Sequence, residues 1–304
     1  MEVYLSRQME YNSKNNILAI FNGRNFKNKR VDKLLLCLNN NSADYIFTSK
    51  KDHIIEILRE KNDYKGYLLF GGDGTIHETI NQLIGSDKWI SFFPGGTVNC
   101  IAGYFKMKRT IPFMQSFLQN NQTKLFDLIK VDFHTHEKIF TKHILGFLTI
   151  GHLANMTITA EKFRWMPRFI RYPFVGFLSF FKIHKFEINY SIDQSHKKKK
   201  KATSIIINNC GAERFSSLQH SDFSDGKYEF LIENHSHLGQ IASIYSQYFS
   251  LSSKSKWVLT EKPLTITFNE PQPVMADGEI YTNILRIDLT ICPSIQKINL
   301  PGRD

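Results

Sequence analysis

Little in this chain could cross-link it or thread it through a membrane. Four cysteines, Cys37, Cys100, Cys210 and Cys292, are scattered through 304 residues, with no CxxC pair and no Cys/His spacing suited to zinc. That argues against a structural zinc and for a reducing compartment. No apolar run reaches the roughly 20 residues that span a bilayer. The longest, PFVGFLSFF at 173–181, falls well short. The opening MEVYLSRQMEYNSKNN lacks the basic-then-apolar pattern of a secretory signal. The expectation is therefore a cytoplasmic chain without signal peptide or transmembrane helix. Acidic residues are also scarce, 28 against 39 Lys and Arg, for a formal charge of +11. Such a balance favours anionic partners: nucleotide phosphates, acidic lipid surfaces or nucleic acid. No internal repeat is visible, whereas a hydrophobic fraction of 42% is ample for packed cores.

What is present changes texture along the chain. NILAIF (16–21), DYIFT (44–48), GYLLF (66–70) and WISFF (89–93) read as strands. RVDKLLLCLN, DHIIEILREK and TIHETINQLI between them read as helices. This alternation predicts a mostly parallel sheet with helices on its faces. From about residue 125 short β-branched and aromatic runs follow one another, as in an antiparallel sandwich or barrel. Helical interruptions are expected within 160–183 and at HLGQIASIYSQYFS. The division predicted is an α/β domain over 1–124, with 292–304 as a possible completion, and a β-rich domain over 125–291. The active site is expected in the cleft between them.

The most informative stretch is Gly71-Gly72-Asp73-Gly74-Thr75, which follows a strand and opens a helix. Ile76, Ile80, Leu83 and Ile84 form one apolar stripe on that helix. The glycines thus lie at the carboxyl end of a parallel strand, where α/β folds bind ligands, and the helix start favours an anion. The pattern is neither GxxxxGK[ST] nor GxGxxG. Asp73 would repel a polyphosphate unless Mg²⁺ or metal-bound water stood between them, which points to phosphoryl transfer. A second strand–glycine–helix junction, Pro94-Gly95-Gly96-Thr97-Val98-Asn99, brings a hydroxyl and an amide to the same sheet edge.

GGDGTIHETINQLI and PGGTVN resemble the two nucleotide loops of the diacylglycerol kinase catalytic-domain family, which includes bacterial lipid kinases, sphingosine kinases and ceramide kinases. LFDLIKV, GHLANMTITAEKFRWMPRFIRYPFVGFLSFFK, FSDGKYEFLIE and VMADGEI resemble its later segments, in order. The first motif alone is shared with NAD kinases and phosphofructokinases. The resemblance implies an NAD kinase/phosphofructokinase-like first domain, ATP as donor, Mg²⁺, a membrane lipid as acceptor and an anionic membrane surface as location. No nucleic acid is expected, and a homodimer is possible.

On this resemblance Gly71, Gly72, Gly74 and Thr75 hold the phosphates, and Asp73 organises Mg²⁺ directly or through water. Thr97, Asn99, Asn22 and Thr48 contact the nucleotide. Asp277 serves as general base and Glu279 orients nucleotide or metal, although Asp-Gly is also an ordinary hairpin turn. Arg164 and Arg171 neutralise the migrating phosphoryl group, with Arg168 as a substitute for Arg171. Asp127 joins the metal network. Lys197 to Lys201 is read as a hairpin loop near acidic lipid.

Three departures stand out. The turn FNGRNFKNK lacks the Pro and Ser-Gly of the family's NP-x-SG. Cys100 replaces an aspartate usual in bacterial diacylglycerol kinase relatives. Asn155 stands where sphingosine kinases carry an acid, and an amide cannot pair with an ammonium by charge. Diacylglycerol or a related glycerolipid is therefore the leading acceptor, ahead of a sphingoid or ceramide lipid. NAD kinase activity and a non-catalytic binding module are the alternatives.

Overall fold

The computed structural model describes residues 16–24, 30–50, 52–96, 99–163, 165–180, 183–209, 222–234 and 257–301. HLGQIASIYSQYFS lies outside them. The chain forms two compact units, one of residues 1–125 and 296–304, the other of residues 126–295.

The first unit alternates β1 (Ile17–Phe21), α1 (Arg30–Asn40), β2 (Ala43–Phe47), α2 (His53–Glu60), β3 (Gly66–Gly71), α3 (Asp73–Leu83) and β4 (Trp89–Pro94), followed by α4 (Cys100–Tyr104) and α5 (Ile111–Gln119). All four strands pair in parallel, in the order β2-β1-β3-β4, and Lys297–Ile298 adds a further parallel pairing on β4. Every residue of β3 is buried, because both faces of a central parallel strand are covered; this is why GYLLFG reads as an unbroken run. Helix α3 buries Ile76, Ile80 and Leu83, the stripe its sequence announces. Helix α5 is preceded by Thr110 at its N-cap and carries proline in its first turn, where the missing N–H costs nothing.

In the second unit the strands pair antiparallel, from β5 (Asn121–His134) through β6 (Ile139–Ile144), β7 (Phe147–Gly151), β8 (Phe186–Ile192), β9 (Lys198–Ala202), β10 (Ser204–Asn208), β11 (Tyr228–Glu233), β12 (Val258–Thr260) and β13 (Leu264–Ala276) to β14 (Glu279–Pro301). Alternate residues of these strands meet in one apolar core that includes Val131, Ile150, Ile188, Ile207, Ile266 and Ile287. Strand β13 serves two neighbours: 264–268 pairs with β8 and 274–276 with β7. The change-over coincides with a register break and with Pro271 and Pro273, which lack the donor a continuous ladder needs. Helices α6 (His152–Lys162) and α7 (Arg168–Phe180) follow β7.

The lysine run departs from expectation. Lys198 to Lys201 form most of β9 and pair with β8 rather than looping out. Glu187 on β8 meets Lys199 Nζ at 2.7 Å and Lys201 Nζ at 3.9 Å, so strand alternation gathers every second lysine beside one carboxylate.

Candidate active site

The four parallel strands of the first unit carry phenylalanine at matching positions near their carboxyl ends. Register sets Phe21 against Phe47 and Phe70, and Phe70 against Phe93. Their rings stack at centroid distances of 5.0, 4.2 and 4.9 Å for Phe21–Phe47, Phe21–Phe70 and Phe70–Phe93. The residues that come next, Asn22, Thr48, Gly71 and Pro94, open or border the loops singled out above. In a sheet of this strand order the chain leaves β1 and β3 in opposite directions, which opens a crevice between their carboxyl ends.

Backbone bonds tie these loops to one another. Asn22 N–H donates to Phe70 O at 2.9 Å, Thr48 N–H to Phe21 O at 2.9 Å, and Gly95 N–H to Gly71 O at 2.7 Å. Gly23 N–H donates to Thr48 Oγ1 at 3.2 Å, and Asn22 Nδ2 lies 3.5 Å from Thr75 Oγ1. Thus Asn22, Thr48, Gly71, Gly72 and Thr75 come together. A Cβ on Gly71 would lie 2.5 Å from Thr75 Oγ1, and one on Gly23 would lie 2.1 Å from Thr48 O. Gly23, to which the sequence reading assigns no role, is held at this close approach, and the Asn-Gly pair directly after a strand is its signal.

Helix α3 begins at Asp73, and its N-cap, Gly72, offers no side chain. Its amino terminus therefore favours an anion. Gly74 lies in its first turn, half-buried. The carboxylate of Asp73 answers the puzzle of an acid in a phosphate loop differently from the expectation. Oδ2 accepts Cys100 N–H at 3.0 Å and Oδ1 accepts Ile101 N–H at 3.1 Å, so Asp73 caps the next helix. Two amides at a helix start stabilise a carboxylate without any metal. Asn99, in the left-handed region at φ 55°, uses its own amide to close the second loop: Oδ1 accepts Gly96 N–H at 2.6 Å and Nδ2 donates to Gly96 O at 2.9 Å. Thr97 lies outside the described residues.

The remaining expected residues belong to the second unit, and geometry gives several of them other work. Asp277 is fully buried. Its Oδ1 accepts Gly146 N–H and Phe147 N–H at 2.9 Å each, and its Oδ2 accepts Leu145 N–H at 2.8 Å. Asp277 and Gly278 (φ 44° and 89°) form the two-residue turn joining β13 to β14. Its carboxylate thereby anchors the turn between β6 and β7. Asn209, which sequence reading passed over, completes that anchor: Nδ2 donates to Asp127 O and Leu145 O at 2.9 Å each.

Asp127 is likewise fully buried, its oxygens accepting Gly226 N–H at 2.6 Å and Ser294 N–H at 2.7 Å. Its carboxylate thereby ties β5 to Gly226 and Ser294. Among the described residues no group of three His, Cys, Asp or Glu side chains could hold a metal ion. Arg171 is buried on α7, and its Nη2 donates to Met166 O at 3.0 Å, which directs it onto its own segment. Arg164 and the side chain of Arg168 lie outside the described residues. Glu279 starts β14, half-buried, opposite Ala276.

A parallel sheet with glycine loops on its carboxyl edge, joined in one chain to an antiparallel unit, defines an α/β-plus-β architecture. The folds of solved proteins agree. "A putative diacylglycerol kinase from Bacillus anthracis str. Sterne" superposes with a TM-score of 0.71 at 16% identity, covering 95% of this chain and 97% of that one. An NAD kinase from Archaeoglobus fulgidus in complex with ATP superposes with a TM-score of 0.53 at 12% identity, covering 93% and 92%. In sequence, a "Putative lipid kinase" of Staphylococcus carnosus (strain TM300) is 25% identical over 236 residues, 71% of each chain. Residues 16–131 match the diacylglycerol kinase catalytic domain. The matched segment and the lipid-kinase relative support a kinase enzyme. Among the described residues no helix is long and apolar enough to cross a membrane.

Proposed function

We propose that this chain is an ATP-dependent lipid kinase that transfers the γ-phosphate to a primary hydroxyl of a membrane lipid, diacylglycerol or a related neutral glycerolipid. The observation that carries the reading is the convergence of Asn22–Gly23, Gly71–Thr75, Gly95–Gly96 and Asn99 at one sheet edge, beside the amino terminus of α3. Glycine backbone without side chains, next to helix amides, is a place for phosphate oxygens.

Magnesium is ordinarily held by one or two carboxylates together with substrate phosphates. A single acid, Asp73, at the phosphate loop fits a metal that arrives with the nucleotide better than one caged by protein. When bound, it would neutralise charge on the phosphates. The chain's own part is positional: the loops seat the phosphates, and the stacked phenylalanine row beneath them keeps the loops in place. Asn155, exposed on α6, offers no charge to an amino alcohol, which favours a neutral lipid over sphingosine.

The test is transfer from labelled ATP to diacylglycerol, ceramide, sphingosine and NAD by the purified protein, with and without a chelator. Phosphorylated diacylglycerol that disappears with the chelator supports the reading. Labelling of NAD alone, or of nothing while nucleotide still binds, overturns it.

A further inference from the structure

The loop that leaves Thr48 is closed by a side chain to which nothing above gives a role. Helix α2 starts at His53, and its N-cap, Asp52, sits in the left-handed region at φ 62° with no side-chain bond to the helix. The usual tie between a cap and its helix is therefore missing. His53 supplies another by reaching back across the loop. Its Nδ1 accepts the Ser49 N–H at 2.9 Å and lies 3.1 Å from Ser49 Oγ. A backbone N–H only donates, so Nδ1 carries no proton in this bond and the ring proton is on Nε2. A second tie, Lys50 Nζ to Glu56 Oε1 at 2.7 Å, joins two exposed side chains and holds the loop weakly. Ser49 directly follows Thr48, whose N–H donates to Phe21 O at 2.9 Å and whose Oγ1 accepts Gly23 N–H at 3.2 Å. A Cβ on Gly23 would lie 2.1 Å from Thr48 O, so the turns after β1 and β2 pack directly on one another. His53 fixes the far end of the second turn.

We infer that His53 is a positioning residue for the nucleotide: through Nδ1 it latches the Ser49 backbone and so holds Thr48 and Gly23 in the arrangement that ATP meets. Without the latch the loop samples other conformations, and ordering it again is charged against ATP binding. The bond lies wholly within the first unit, so its loss acts on the nucleotide and leaves the acceptor lipid alone. The inference rests on the proposed ATP site for its purpose, whereas the latch itself is read from α2 and the loop before it.

The experiment compares the full chain with His53→Ala, which removes the acceptor, and His53→Asn, whose Oδ1 can stand in for Nδ1. His53→Ala should raise the Kd for ATP by calorimetry, and the KM for ATP, roughly two- to ten-fold, the worth of one neutral hydrogen bond. Its kcat and its KM for the acceptor lipid should be unchanged. His53→Asn should recover most of the lost affinity. A merely structural histidine would instead lower the thermal melt and the amount of active protein, hence kcat, without moving the KM for ATP. Nitrogen-15 spectra of the wild-type imidazoles at neutral pH give a readout that needs no turnover. Among the signals of the 11 histidines, those that vanish in His53→Asn should show a bare Nδ1 and a protonated Nε2. Wild-type ATP affinity in His53→Ala, no recovery in His53→Asn, or a proton on Nδ1 overturns the latch. Affinity lost in His53→Ala, in a protein that phosphorylates no lipid, leaves the latch standing and removes the proposed reaction. Absence of ATP binding by wild type removes both.

Discussion

Gly96 and Gly72 touch backbone to backbone: a Cβ built on Gly96 would lie 2.5 Å from the Gly72 Cα and 3.0 Å from Asn99 Oδ1. The two phosphate-loop candidates are thus one packed unit. Neither side of the contact is the flexible end of a side chain, so relief requires the loops to part.

Gly96→Ala should therefore cost about 1–3 kcal/mol of stability, as over-packing does, and weaken ATP binding. Gly103→Ala, where a Cβ meets nothing within 4 Å, is the control and should leave both unchanged. Urea unfolding with nucleotide titration checks the pair.

Asp73→Ala removes the acceptor for Cys100 N–H and Ile101 N–H. Leaving such donors unsatisfied costs about 1–3 kcal/mol. The apo protein should lose stability in the absence of any metal. If stability falls only when magnesium and ATP are present, the capping role is wrong and the acid serves the metal alone.

Asp277→Asn should be mainly a folding defect. Its amide oxygen can keep Gly146 and Phe147, but its NH₂ would then face Leu145 N–H where Oδ2 accepted it. A loss of about 1–3 kcal/mol is expected, since the donor left unsatisfied is buried. Wild-type stability with turnover abolished would instead return Asp277 to the general-base role.

Asp288 gives the second unit a pH dependence. Burial raises its carboxyl, but hydrogen bonds from Arg286 and Thr265, the Arg286 charge and His134 together hold it below the usual aspartate value. Arg286 Nη2 lies 2.8 Å and Thr265 Oγ1 2.6 Å from Oδ1, with His134 Nε2 2.7 Å from Oδ2. A depressed folded-state value means the contribution is complete above the unfolded value of about 3.9 and is lost as pH falls through the folded one. Asp288→Asn should lower stability near neutrality and flatten this acid limb. Unfolding midpoints measured from neutral pH into that range check it.

Much of the first unit was legible residue by residue. NILAIF, GYLLF and WISFF are short apolar runs between polar helices, and local burial alone is enough to make them strands of a covered parallel sheet. Helix α5 was not read from IPFMQSFLQ, a short segment whose aromatic and apolar residues also fit a strand. KIFTKHILGFLTIG reads as one run but folds as β6 and β7, because the turn at Leu145–Gly146 is made by partners distant in sequence rather than by a local turn pattern. The lysine run looked like a loop by charge, yet it is an edge strand, since Glu187 and the register of β8 supply what composition does not reveal.

By itself the sequence determined the alternation of the first unit, the glycine loops on its sheet edge and the family to which residues 16–131 match. Those depend on neighbours within a few positions. Only the tertiary structure decided what each acid does: Asp73 takes amides 27 and 28 residues away, and Asp277 takes amides 130 to 132 residues away. A carboxylate in a motif can serve a metal, a proton or a backbone donor with equal chemistry. Which of these it meets is fixed by where the chain returns in space.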